Sequence, residues 1–138
     1  TTVERDEPQS IRDATRHLLI EIVARNSIGP DELVSVLFSV TADLASEYPA
    51  RAARDLGWSD VSLLCMSEIP VPGGLPRCIR VLIHAEFAEP RSRVEHVYLG
   101  AARLLRPDWS EGGREGRPRT PNADRSGLPV GGPASPKT

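Results

Sequence analysis

The stretch LVSVLFSVT, residues 33–41, sets the tightest limit on what this chain can become. It is rich in β-forming residues and apolar on both faces of the pleat, as expected of a strand covered on two sides. Such a strand belongs at the centre of a sheet. The chain around it has 138 residues, 39% hydrophobic and 26% charged, a balance that suits a soluble globular protein with one modest core.

An amphipathic helix precedes this strand. From Asp6 to Arg25 the residues Ile11, Ala14, Leu18, Leu19, Ile22 and Val23 recur at helical spacing, while Arg12, Asp13, Arg16, Glu21 and Arg25 fill the other face. Asp6 with Gln9 resembles a capping box, Pro8 suits the first turn, and Asn26 through Gly29-Pro30 supply stop signals. After the strand, Pro49 and Gly57 bracket a short helix that places Arg51 and Arg54 on one face. VSLLCM, 61–66, reads as a second buried strand. In IRVLIHAEFA, 79–88, Ile79, Val81, Ile83, Ala85 and Phe87 form one face, so Arg80, His84 and Glu86 share the other. VEHVYL, 94–99, reads as a fourth strand, followed by a short turn or helix. The sum is an α/β (α+β) domain, a mixed sheet packed by one long and one short helix.

The last 29 residues, Ser110–Thr138, hold six of the eleven glycines, five of the thirteen prolines and four apolar residues. Such a segment buries too little surface to offset its ordering entropy, so a disordered tail is expected after a domain spanning 1–109.

Several function classes lack their parts. The net charge of −2 creates no field that would favour nucleic acid or an anionic membrane. Leu33–Val40 is far too short to span a bilayer, and the first residues lack the basic and apolar blocks of a signal peptide, so a cytoplasmic protein is expected. Cys65 and Cys78, thirteen positions apart without flanking histidines, assemble neither a zinc site nor a redox pair. His17, His84 and His96 are isolated. Gly73-Gly74 lacks the Lys-Ser/Thr of a phosphate loop and reads as a turn between strands.

The remaining candidates surround CMSEIPVPGGLPRCIRV, 65–81: Arg80 on a polar strand face, Glu68 just after a strand end, and the Arg51/Arg54 pair near Tyr48. Each has a bland alternative. Glu68 suits a solvated loop, Arg80 a strand edge, and Cys65 a small buried hydrophobe. Sixteen arginines against one lysine, Lys137, also fit a codon bias. Together, however, these residues suit a small anionic substrate, because a guanidinium stays charged and its planar fork matches a carboxylate at two points. No nucleophile and base stand ready for covalent catalysis.

TTVERDE, SVTADLASEYPARAARDLGW, CMSEIPVPGGLPRCIRV and HVYLGAARLLRPD, in that order and spacing, closely resemble the monofunctional chorismate mutases of the trimeric pseudo-α/β-barrel class, the AroH type. The likeness covers residues 1 to about 109. It implies a Claisen rearrangement of chorismate to prephenate, serving phenylalanine and tyrosine synthesis, without cofactor or metal. By position in the family motif, Arg80 looks like the cation beside the ether oxygen and Glu68 like the acceptor for the ring hydroxyl. Cys65 looks like a nearby contact. Tyr98 and Arg54 match carboxylate-side or pocket-closing positions, Tyr48 stands where the family often has phenylalanine, and Arg51 where lysine occurs. Leu105 and Arg106 match the C-terminal segment that folds over the site. The resemblance further implies a homotrimer with its sites between subunits.

Two departures stand out. The family opens with a short β-strand bearing another arginine, upstream of the stretch that begins here at Thr1, and Leu64 occupies a place where a small polar residue is common. The first leads to an alternative expectation: a catalytically impaired trimeric module that binds a small carboxylate.

Overall fold

The computed structural model describes residues 1–91 and 93–107. The expected Gly/Pro-rich tail and its boundary at 109 lie outside those residues. Helix α1 spans Pro8–Asn26 and buries Ile11, Leu18 and Leu19 with Thr15 between them. Thr15 reconciles its hydroxyl with burial by donating to the Ile11 carbonyl at 2.7 Å. The helix ends where Ser27 takes a left-handed conformation (φ 48°) and Ile28 N–H donates back to the Val23 carbonyl.

The expected capping box does not form. Glu7 is the N-cap and makes no side-chain cap, while the Asp6 carboxylate accepts the backbone N–H groups of Ala45 and Ser46, each at 3.0 Å. Gln9 instead bonds Asp13 and Arg12. Asp6 therefore ties the start of α1 to a distant loop, because two converging amides outcompete one helical N–H.

Strand β1, Leu33–Val40, lies between β2, Ser62–Ser67, and β3, Ile79–Ala85. It runs parallel to β2 and antiparallel to β3. The parallel pair requires a crossover, which carries helix α2, Ala50–Asp55. Pro49 caps α2, and Gly57 just beyond it adopts φ +86°, a conformation that glycine reaches without a Cβ penalty. In register with one another, Val36, Leu63 and Ile83, then Phe38, Cys65 and Val81, form one sheet face. Leu19 of α1 and Ala50 and Ala53 of α2 close over that face, leaving Val36 and Phe38 fully buried. Burial of each such side chain contributes about 1.5–3 kcal/mol. A second cluster of Val3, Ile11, Leu44 and Ile79 seals the end of the layer.

Three further expectations need correction. β2, expected to be buried, has no buried residue, and its Leu64 and Met66 are exposed. The cover foreseen for both faces of β1 is supplied on one face by the described residues. On the other, Leu37 stands in register between Leu64 and Leu82, which are 56% and 57% exposed. The fourth strand, 94–99, also fails to form: the segment joins no ladder among the described residues and leads into a 3-10 helix, Gly100–Leu105. Its backbone lacks a partner strand, and Val94 is half exposed.

Candidate active site

The open face of the sheet carries polar residues at one end. Register places Ser39 of β1 opposite Arg80 of β3, and Glu68 follows directly after β2, held there by its N–H to the Val40 carbonyl at 2.9 Å. Glu68 Oε1 lies 3.0 Å from Arg80 Nε and accepts the Ser39 hydroxyl at 2.7 Å. The Glu68 side chain is 15% exposed and that of Arg80 56%. The carboxylate is thus a fixed, half-enclosed anchor, while the guanidinium is presented outward from it. The closest approach of the ion pair is through Nε, and the Arg80 side chain stays more than half exposed.

The start of β3 is locked from the side. Thr2 bridges Cys78 in an antiparallel sense, Ile79 N–H donates to the Thr1 carbonyl, and Val3 N–H donates to the Arg77 carbonyl. Arg77 adopts φ 47°, and both oxygens of Asp43 accept its backbone N–H, at 3.0 and 2.9 Å. These contacts fix the residues that immediately precede Arg80.

A cleft of about 750 Å³ runs beside β3, lined in part by Arg80, Met66, Leu82, Tyr98, Leu105 and Arg106. That volume suits a small metabolite. The 3-10 helix that brings Leu105 to the cleft packs closely on the first residues. Thr2 Oγ1 accepts the Ala101 N–H at 3.0 Å, and a Cβ on Gly100 would sit 2.7 Å from the same oxygen. His96, also on the cleft, is pushed below its ordinary value by partial burial and then by the nearby Arg106 charge.

The other expected residues stand elsewhere. Tyr48 and Cys65 line a smaller hollow of about 330 Å³ between the ends of β1 and β2 and the loop before α2. Arg51 and Arg54 lie exposed on α2, where Arg51 pairs with Asp55 at 3.7 Å. Neither lines the cleft that holds Arg80. One chain therefore unites Arg80, Glu68, Tyr98, Leu105 and Arg106, and separates from them Tyr48, Cys65, Arg51 and Arg54. Leu64 projects from the open face, whereas its neighbour Cys65 packs toward the helices.

The family model described as chorismate mutase type I matches residues 1–109. The chain belongs to the chorismate mutase type I family. Its similarity to chorismate mutase AroH of Thermus thermophilus is 51% identity over 108 residues, covering 78% of this chain and 88% of the relative. With chorismate mutase AroH of Bacillus subtilis (strain 168) it shares 43% over 111 residues, covering 80% and 87%. A solved chorismate mutase from Clostridium thermocellum superposes with a TM-score of 0.73 at 41% identity, covering 76% of this chain and 94% of that one.

Within this type I family member, sequence reasoning missed Ser39, the third party to the Arg80–Glu68 pair. A signal was present, since Ser35 and Ser39 are the polar interruptions of an otherwise apolar β1. Among the described residues no group of three or more His, Cys, Asp or Glu side chains comes together around a metal-sized space, and no helix is long and apolar enough to cross a membrane.

Proposed function

We propose that this chain rearranges chorismate to prephenate, and that the Arg80 guanidinium, braced by Glu68, supplies the decisive electrostatic contact. In this pericyclic step the ether C–O bond breaks as a C–C bond forms, and no proton leaves. Negative charge grows on the ether oxygen, and a preorganised cation beside that oxygen stabilises the transition state more than the ground state. Glu68 accepts the ring hydroxyl, and Cys65 contacts the same region. Arg54, Tyr98 and Arg106 serve the carboxylates, Tyr48 and Leu105 close the pocket, and Arg51 adds positive field. Holding the substrate in its coiled reactive conformer lowers the remaining entropic barrier.

The observation that carries this reading is the outward-presented Arg80 fork on the Glu68–Ser39 anchor beside a metabolite-sized cleft. The active form is a homotrimer with each site between subunits. Two features support it: the apolar row Leu64–Leu37–Leu82 lies open, and the site residues fall into two groups that one chain does not join. The setting is aromatic amino-acid biosynthesis in the cytoplasm, with no nucleic-acid or membrane partner.

Loss of chorismate absorbance in the ultraviolet tests the activity. Arg80→Ala is expected to lower kcat/KM by roughly a hundredfold to a thousandfold, about 3–4 kcal/mol, with the fold and assembly intact. Near-normal turnover in that variant removes Arg80 from the mechanism. Arg80→Lys keeps charge but loses the fork, and it too is expected to fail badly.

A further inference from the structure

We propose that Asn26, at the last position of α1, is a positioning residue for substrate capture: its carboxamide docks the segment that carries Tyr98 into the cleft. This inference rests on the chorismate mutase reading above. Asn26 Oδ1 accepts the backbone N–H of Glu95 at 2.8 Å, and Asn26 Nδ2 donates to the Glu95 carbonyl at 2.8 Å. One side-chain amide thus takes both backbone groups of one residue, as a neighbouring strand would. Nδ2 also donates to the Ile22 carbonyl at 2.9 Å, which ties the carboxamide to its own helix. Rotating the amide by half a turn would set NH2 against an N–H and oxygen against two carbonyls, so its orientation is unique.

The surroundings reinforce this dock. Arg25, held by Glu21 at 2.7 Å, reaches the Glu95 carboxylate at 3.4 Å. Arg91, stacked 3.7 Å over the Phe87 ring, donates to the Asn26 and Ser27 carbonyls at the end of α1. Further along, Ala101 N–H is bound by Thr2. Tyr98 lies between the anchors at Glu95 and Ala101, and its own carbonyl accepts Arg103 Nε at 3.3 Å. The segment 94–99 lacks ladder bonds, so side-chain anchors decide how much of the time it is docked. Arg80, Glu68 and Ser39, by contrast, are held by the sheet whether the segment is docked or not.

That division predicts a split in the kinetics. When the docked state is populated a fraction of the time, apparent affinity falls by that fraction, while the bound complex reacts as before. Asn26→Ala, losing the pair of bonds to Glu95, is expected to raise KM about tenfold with kcat changed by no more than about twofold. Asn26→Asp keeps the acceptor for Glu95 N–H but sets a carboxylate against two carbonyl oxygens, so it is expected to raise KM at least as much. Both are assayed well below their unfolding midpoints, alongside amide hydrogen exchange of residues 94–106 without ligand. Faster exchange there with α1 and the sheet unchanged, together with the KM effect, supports the proposal. An unchanged KM, an equal loss in kcat, or unchanged exchange overturns it. Should the unmodified protein not turn over chorismate, the enzymatic reading falls, and the exchange comparison still decides whether Asn26 docks the segment.

Discussion

The two faces of the sheet use the same kinds of side chain and meet different fates. On the helix side Val36 and Phe38 of β1 are fully buried beneath α1 and α2, whereas on the other face Leu64 of β2 and Leu82 of β3 are more than half exposed. Leucine does not specify its own cover. The sequence of β1 states that both faces need an apolar neighbour, and the described residues provide one; the open row is the part of the chain whose partner is a second copy in the proposed trimer.

The largest stability effect expected is on the closed face. Phe38→Ala removes a ring from a layer that cannot collapse around the gap, and is expected to cost about 3–5 kcal/mol, read as a lower urea midpoint. Leu82→Asp probes the opposite face. Its charge would meet the apolar row of a neighbouring copy, so sedimentation is expected to show a single-chain mass with the secondary structure retained. A mass unchanged from the parent, with stability within about 0.5 kcal/mol, would make that face a solvent surface and erase the contrast.

The smallest effect is at the edge of the closed side. Hydrogen bonds from the backbone of Ser46 above all, then of Ala45, hold the Asp6 carboxyl below its ordinary 3.8. Asp43 is likewise held down, by the Thr41 hydroxyl first and then by Arg77 N–H. With both values depressed on folding, the unfolded chain takes up protons first as pH falls. The stabilisation is complete above 3.8 and is lost as pH drops through the lower folded values. Asp6→Asn is expected to flatten that acid limb slightly; an identical pH slope would show that the loop tie contributes nothing through its charge.

Much of this fold was legible because short-range patterns carried it. The period of α1, the apolar run of β1 and the alternation of β3 each survived folding, and the alternation alone put Arg80 on the face away from the core. VEHVYL failed as a strand for a reason no local pattern contains: Asn26, a helix residue far away in sequence, takes the hydrogen bonds a partner strand would have made. Asp6 misled in the same way, since its acceptors' partners lie in the loop at 45–46. At the site, residue types suggested Arg80 and Glu68, but their 3.0 Å contact and the Ser39 bond depend on register between strands, which sequence alone leaves open. The separate placement of Arg51 and Arg54 shows the same limit: family motifs name residues without saying whether one chain brings them to one cleft.

Register gives the pairing of Ser39 with Arg80 a further meaning. A slip of one residue between β1 and β3 would drive a guanidinium in among Val36 and Phe38 and turn Ile79 or Val81 out to water. The guanidinium proposed to act on the substrate is therefore guarded against misalignment by the whole apolar layer behind it.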